Sequence, residues 1–258
     1  MTSDPPRLEI QRVLGVPIHI PTGIPAEDSL PSYVEWLRQR LAQHQGTHVI
    51  TCNSEMTMLA QEDPTFWASL HQADLVIPDG AGVVWALGRQ GIRVHRSPGI
   101  ELAETLLRRL AEDPLDSFTI ALIGATPEVN QAAQAHWQQQ YPRLCLWGQH
   151  GYLSPEQESN LLTDLEQQAP QVILVGMGSP RQEAWIQAHR QRLPNAIWMG
   201  VGGSFDIWAG NKTRAPQWWR DHRLEWLYRL YQEPWRWRRM LVLPQFVWKV
   251  WWTHPRSG

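Results

Sequence analysis

Cysteine is scarce in this sequence, and Cys52 and Cys145 show neither CxxC nor metal-ligand spacing. Two cysteines so far apart favour two buried thiols over a disulfide, and they exclude a disulfide-dense secreted scaffold. The ten histidines include no HExxH pair, so the sequence predicts no metal site.

Long hydrophobic runs are also missing. The most apolar stretch, LVLPQFVWKVWW at residues 241–252, has 12 residues and contains Pro244 and Lys249, whereas about 20 apolar residues are needed to cross a bilayer. The opening MTSDPPRLEI has no basic segment leading into an apolar one, so no secretory signal is recognised. We therefore expect a cytoplasmic protein that does not span a membrane.

Charge of one sign does not dominate the whole chain, but the two ends of the chain differ. The net charge is −2, yet residues 1–211 carry 13 basic and 22 acidic groups while residues 212–258 carry 10 basic and 3 acidic groups. The second segment also holds eight of the 16 tryptophans. A basic, aromatic tail on an acidic body indicates an anionic partner.

Short apolar runs alternate with longer amphipathic stretches up to about residue 206. Strands are predicted at 13–20, 48–52, 75–77, 118–123, 144–147, 172–175 and 197–201. Helices are predicted at 29–44, 54–72, 81–90, 99–112, 127–140, 155–169 and 180–192. This alternation predicts an α/β fold with a mostly parallel, doubly wound, Rossmann-like sheet covered by helices on both faces.

Two domains follow from these patterns. Residues 1–211 form the α/β body, which a chain of this length can build as one unit or as two half-domains meeting near residues 113–117. Residues 212–258 form a helical, basic, Trp-rich appendage, with pieces at 216–222, at 224–232 and from 234 onward, broken at Pro234 and Pro244.

Local chemistry marks several helix starts. Thr126, Ser154 and Ser179 each precede a proline, which predicts a hydroxyl N-cap followed by Pro at the first helical position. Gln157 and Gln182 lie three residues after Ser154 and Ser179, so two capping boxes are predicted.

Polar and glycine residues gather where the predicted parallel strands end, which is the edge where open α/β sheets bind ligands. These residues are Thr51, Asn53, Asp79, Gly124, Gly176, Gly178, Gly202, Gly203 and Asp206. Glycine lets a ligand approach the backbone, and helix N-termini attract phosphate, so the pattern favours a nucleotide.

Each signal has a structural alternative. GMGSPR lacks the third glycine of GxGxxG, and GNKT lacks the spacing of a P-loop. Pro-Asp-Gly is common turn chemistry, and Asp79 could cap the next helix. Gln182 is accounted for by its capping box, and Thr51 and Asn53 by a strand end and an N-cap.

Five stretches in order, ITCNSEMTMLAQEDP, ADLVIPDGAGVVWA, GMGSPRQE, GVGGSFDIWAGNKTRAPQWW and LEWLYRLYQEPWRWRR, resemble the TagA/CpsF/WecG family of bacterial glycosyltransferases over about residues 12–240. The resemblance implies transfer of a sugar, of the N-acetylmannosamine type or a related hexose, from a UDP-sugar to a polyprenyl-diphosphate-linked acceptor in cell-surface polymer synthesis. It also implies inversion at the anomeric carbon and no cofactor or metal, and the chain has no DxD motif.

The resemblance also assigns residues. Asp79 corresponds to the proposed catalytic base, Thr51 and Asn53 line the same pocket, and Gln182 is a further polar group of the site. Tyr152 and Asp206 match positions associated with the nucleoside, where a ring stacks on uracil and a carboxylate accepts hydrogen bonds.

Three positions depart from the family pattern. Cys52 and Ser54 stand where prolines are usual, and Glu101 stands where Asp is typical. These departures bear on which sugar is transferred more than on the fold.

Arginines are expected to meet the diphosphate in place of a metal. The candidates are Arg96, Arg214, Arg220, Arg223 and Arg229. The resemblance further implies that the tail completes the active site and influences self-association as a homo-oligomer.

The tail is expected to contact the inner face of the cytoplasmic membrane through residues 234–252, because Trp favours the headgroup region and basic groups attract anionic lipid. Trp226, Leu227 and Leu230 are expected to pack instead on the body as core. Two rival functions remain at this point: a Rossmann oxidoreductase and a nucleic-acid-binding module. The missing GxGxxG counts against the first, and only the basic tail supports the second, so no nucleic acid is expected as a partner.

Overall fold

The computed structural model describes residues 6–113, 117–222, 224–234 and 237–253. The strands are β1 Leu8–Val13, β2 Val16–Pro21, β3 Thr47–Cys52, β4 Leu75–Pro78, β5 Thr119–Gly124, β6 Cys145–Gln149, β7 Val172–Gly176 and β8 Ile197–Gly200. The helices of the body are α1 Ser29–Ala42, α2 Ser54–Ala60, α3 Pro64–Gln72, α4 Ala81–Arg89, α5 Gly99–Ala111, α6 Pro127–Gln140, α7 Pro155–Gln168, α8 Arg181–His189 and α9 Ser204–Trp208. The tail contributes α10 Gln217–Asp221, α11 Glu225–Gln232, α12 Trp237–Met240 and α13 Val242–Thr253.

Six of the described strands form one sheet in the order β4-β3-β8-β7-β5-β6, and every neighbouring pair in it is parallel. Alternate residues of each strand enter cores on opposite faces. In β5, Ile120 and Leu122 pack in the core that contains α1, α5, α6 and α9, whereas Ala121 and Ile123 pack against α7 and α8. The predicted doubly wound α/β sheet with helices on both faces is thereby confirmed.

The predicted strand at 13–20 is wrong. It is a hairpin in which β1 pairs antiparallel with β2 and Val13 lies opposite Val16. Leu14 and Gly15 form the turn, with φ of 49° and 82°. Two left-handed residues in a two-residue loop match the twist of a β-hairpin.

The predicted helix at 54–72 is two helices, because Asp63 and Pro64 start a new one. The side chain of Asp63 accepts from the backbone N–H groups of Thr65 and Phe66, and Pro64 occupies the first turn of α3. In the tail the predicted break at Pro244 is also wrong. Pro244 lies in the first turn of α13, where its missing N–H has no helical partner to lose.

Burial corrects two further expectations. Cys52 is buried as predicted, but Cys145 is exposed. Trp226 and Leu227 are 39% and 37% exposed rather than core. Phe246 and Val250 are instead the buried residues of α13, in the core that contains α2 and α4.

The boundary proposed near 113–117 includes residues 114–116, which lie outside the described residues. The division into half-domains stays a prediction. The single sheet combines strands from before and after that segment.

Candidate active site

The carboxyl ends of β3, β4, β7 and β8 open into one cleft with a volume of about 620 Å³. These strands are parallel, so the loops that follow them meet at the same edge of the sheet. Eight residues predicted from the sequence line it: Thr51, Asn53, Asp79, Gly178, Gln182, Gly202, Gly203 and Arg214. The tail supplies part of the wall through Tyr228, Gln232, Glu233 and Val242.

Asp79 is placed by the end of β4. Its backbone N–H donates to Cys52 O at 3.0 Å, which ties it to β3. Helix α4 begins after Gly80, which is its N-cap residue, so Asp79 lies one residue before the N-cap. The cleft and a second cavity of about 140 Å³ are both lined by Asp79.

The small cavity adjoins the cleft at four shared residues, Asn53, Glu55, Asp79 and Glu225. Its polar side includes Arg96, whose Nη1 lies 2.7 Å from Glu225 Oε2. Its apolar side comes from the tail, through Trp226, Leu230, Met240 and Leu243. The tail thus supplies the apolar side of the small cavity that Asp79 also lines.

Thr51, in β3, and Asn53, which follows β3, line the same cleft as Asp79. Asn53 is the N-cap of α2 and accepts from the Met56 N–H at 3.0 Å, so the structural role weighed for it is confirmed. Because Oδ1 is engaged in this cap, the amide NH₂ is the part of Asn53 suited to donate to a ligand. Thr51 packs against the start of α5, where a Cβ on Gly99 would lie 2.8 Å from its hydroxyl.

Gln182 does not complete the predicted capping box. Helix α8 has Pro180 as its N-cap with no side-chain cap bond. Instead Gln182 Oε1 accepts from Gly178 N at 3.1 Å and from Gly202 N at 3.0 Å. Two amides that were candidates to meet phosphate are therefore engaged inside the protein. The box of Ser154 with Gln157 is confirmed.

Two cations of the cleft, Arg214 and Lys212, are paired with carboxylates. Arg214 bonds Glu101, one of the three positions expected to depart from the family pattern. Lys212 Nζ lies 2.8 Å from Glu233 and 3.5 Å from Asp206. Partial burial acts to lower the pKa of Lys212, but its contacts with Glu233 and Asp206 outweigh burial and raise the pKa. Lys212 therefore stays charged at neutral pH.

Several predicted residues are not among those that line the cleft: Gly124, Gly176, Tyr152 and Asp206 are absent from its lining, and Arg96 lines the small cavity instead. Gly176 ends β7 against Phe205, whose ring a Cβ there would approach to 2.9 Å. Tyr152 is 68% exposed and follows Gly151, whose carbonyl accepts from the cleft residue Arg181. Asp206 Oδ2 lies 3.5 Å from Nζ of the cleft residue Lys212. The nucleoside roles of Tyr152 and Asp206 stay predictions.

The remaining tail arginines are not located by side chain. Arg220 and Arg229 lie on α10 and α11, but only their backbones are described, and Arg223 lies outside the described residues. Their contact with a diphosphate remains a prediction.

Sequence reasoning missed Arg181, Lys212, Tyr228 and Glu183. The signals were the motifs themselves, since Arg181 and Glu183 flank Gln182 in SPRQE and Lys212 stands in GNKT. Glu183 is 1% exposed. Burial raises its pKa, against the opposing effect of the Gln182 and Ser179 side chains.

Burial also raises the pKa of the Cys52 thiol to about 12, with the charges of Asp79 and Glu183 adding to the effect. Cys52 therefore stays a neutral thiol beneath the cleft rather than a nucleophile. Among the described residues, no group of three or more His, Cys, Asp or Glu side chains is placed to hold a metal ion.

Comparison with known proteins identifies relatives. Residues 12–257 match the protein family described as "Glycosyl transferase WecG/TagA/CpsF family". A protein of Staphylococcus aureus strain MRSA252, named N-acetylglucosaminyldiphosphoundecaprenol N-acetyl-beta-D-mannosaminyltransferase, is 37% identical over 203 residues, 78% of each chain. The protein of the same name from strain MW2 is 36% identical over the same share.

Proposed function

The chain belongs to the WecG/TagA/CpsF family of glycosyltransferases, and on that basis we propose that it moves an N-acetylmannosamine-type hexose from a UDP-sugar to a polyprenyl-diphosphate-linked sugar with inversion. The names of the Staphylococcus aureus relatives support this acceptor and this sugar type. The oxidoreductase and nucleic-acid interpretations are set aside, because the family is one of glycosyltransferases.

One observation carries the proposal: Asp79 lines both the cleft and the small cavity. Inversion in one step needs a base on the acceptor hydroxyl, on the side of the sugar opposite the leaving group. A carboxylate at the junction of two cavities meets that need if the donor occupies the large one and the acceptor enters from the small one.

The departing diphosphate needs positive charge as its own charge grows. The cleft supplies Arg181, Lys212 and Arg214. Because Arg214 and Lys212 are held by Glu101 and Glu233, the diphosphate would replace these carboxylates as partner. The backbone amides of Gly178 and Gly202 hold Gln182 instead and shape the turns.

The tail suits a membrane-borne acceptor. None of the helices in the described ranges is long and apolar enough to cross a bilayer. Helix α13 buries Phe246 and Val250 against the body while Trp248, Trp251 and Trp252 are 59–70% exposed. Exposed tryptophans on a basic tail fit the headgroup layer of an anionic membrane, and we place the protein peripherally on the cytoplasmic face.

The test is UDP release with a panel of UDP-sugars and a diphosphate-linked N-acetylglucosamine lipid acceptor. UDP-N-acetylmannosamine should give acceptor-dependent UDP release, and Asp79→Asn should reduce it. Product NMR should show the opposite anomeric configuration from the donor. Turnover of another nucleotide sugar alone, or retention of configuration, would overturn the proposal.

A further inference from the structure

Glu183 is a buried acid that the proposed reaction does not use. It follows Gln182 on α8 and is 1% exposed, although carboxyl groups are rarely buried without a partner. Its Oε1 accepts from Gln182 Nε2 at 2.8 Å. The buried acid is therefore joined directly to a residue of the cleft.

The two ends of the Gln182 amide make different bonds. Oε1 accepts from the amides of Gly178 and Gly202, and Nε2 donates to Glu183. If the amide flipped, its NH₂ would face two N–H donors and its oxygen would face a carboxyl oxygen. An acceptor at position 183 thus selects the orientation that holds both glycines.

The two glycines belong to turns that line the cleft. Their φ angles are +78° at Gly178 and +53° at Gly202, in the left-handed region where glycine carries little strain. Gly200 leaves the space that Gln182 occupies, since a Cβ there would lie 2.4 Å from Nε2. The chain therefore keeps room for this amide, supplies it with donors and orients it.

We propose that Glu183 is a positioning residue, which fixes the Gln182 amide and through it the two glycine turns that shape the donor side of the cleft. The kinetic consequence rests on the proposed function. The structural consequence does not, because the amides of Gly178 and Gly202 can be followed without substrate.

The first experiment removes the acceptor at position 183. Glu183→Leu should speed hydrogen exchange at the Gly178 and Gly202 amides and raise the KM for the UDP-sugar about tenfold, the effect of one lost hydrogen bond, with kcat within about threefold. Glu183→Gln retains an acceptor oxygen and should stay within about threefold in both constants. Unchanged exchange and KM in Glu183→Leu would overturn the proposal.

The second experiment exchanges the two side chains, and it decides the matter if Glu183→Leu does not fold. In Gln182→Glu two acids face each other and need a shared proton, so KM should rise about tenfold or more between pH 6 and pH 9. In the double variant Gln182→Glu/Glu183→Gln, the amide at 183 donates at any pH, so this rise should disappear. A double variant as sensitive to pH as the single one would contradict the proposal.

Failure of the proposed function gives a different result. If Glu183→Leu speeds exchange at both glycines while no UDP-sugar is turned over by the wild type, the positioning role stands and the assigned reaction is wrong.

A matched control tests the space for Gln182. Gly200→Ala should raise KM and speed exchange as Glu183→Leu does. Gly88→Ala, where a Cβ meets nothing within 4 Å, should change neither. If the two alanine variants have the same KM and the same exchange rates, the space beside Gly200 does not fix the position of the Gln182 amide.

Discussion

Arg96 and Glu225 form a 2.7 Å ion pair that joins the tail to the body. Arg96 lies in the loop before α5, and Glu225 begins α11. The two side chains are 21% and 8% exposed, and Glu225 lines both cavities beside Asp79. The pair is therefore placed to keep the tail wall of the cleft against the body.

We expect Glu225→Gln to lower the free energy of unfolding by about 2 kcal/mol, because it leaves the Arg96 charge in a poorly solvated place without its counter-charge. Urea denaturation measures this change. The control is Glu166→Gln, which breaks the pair of Arg192 with Glu166, also 2.7 Å but 48% and 45% exposed. It should cost less than about 1 kcal/mol, and equal losses would show that burial of the tail pair contributes nothing.

Asp79→Asn should reduce kcat/KM for sugar transfer by roughly 10² to 10⁴, the usual contribution of a general base. The hydrogen bond that ties Asp79 to β3 should persist in this variant, since it uses the backbone N–H. The control is Glu55→Gln, a second carboxylate shared by both cavities, for which we expect a loss below about tenfold. If Glu55→Gln is the more damaging, the base has been assigned to the wrong residue.

Periodicity predicted the sheet well, because each central strand is buried on both faces and reads as a continuous apolar run, as in Val172–Gly176. The hairpin was missed because the residues on both sides of the turn are apolar. Val13, Val16, Ile18 and Ile20 are all buried, so the sequence reads as one apolar run through the turn at Leu14. The division of the predicted helix 54–72 into α2 and α3 could have been predicted, because Asp63-Pro64 is a typical helix start within that stretch.

The cleft was predictable as far as it depends on strand ends. Asp79 and Thr51 follow from the register, which sets Thr51 beside Ile77 and Cys52 beside Pro78. The hydrogen-bond partner of Gln182 was not predictable from the sequence. The same glutamine side chain could complete a capping box or accept from the Gly202 amide, and the second is possible only because the chain after β8 brings Gly202 next to it. The pairs Arg214 with Glu101 and Lys212 with Glu233 depend on how the tail docks, which no local pattern specifies.

Acid should destabilise the protein through His48. This residue of β3 is 1% exposed, and burial, with the charge of Arg190, lowers its pKa to about 3 against the weaker opposing charge of Asp74. Below its ordinary pKa of about 6.5 the unfolded chain binds a proton that the folded chain does not, so stability is lost as the pH falls.

His48→Gln should therefore lose less stability than the wild type between pH 6.5 and pH 4, by up to about 1 kcal/mol per pH unit. Urea denaturation across this range measures the difference. His95→Gln, at an exposed histidine, should follow the wild-type curve. A His48→Gln curve parallel to the wild type would show that His48 titrates normally in the folded state.

The exposed face of α13 should determine membrane contact. Trp248 and Trp252 are 64% and 70% exposed, so Trp248→Ser/Trp252→Ser removes apolar surface without opening the core. We expect binding to vesicles containing phosphatidylglycerol to fall about tenfold or more, as measured by co-sedimentation, because two large aromatic groups no longer enter the interface. Tyr152→Ser, which removes an aromatic group 68% exposed on the body, should bind as the wild type does. Undiminished sedimentation of the double variant would mean that α13 does not face the lipid. If the wild type itself fails to sediment with the vesicles, the tail does not bind the membrane.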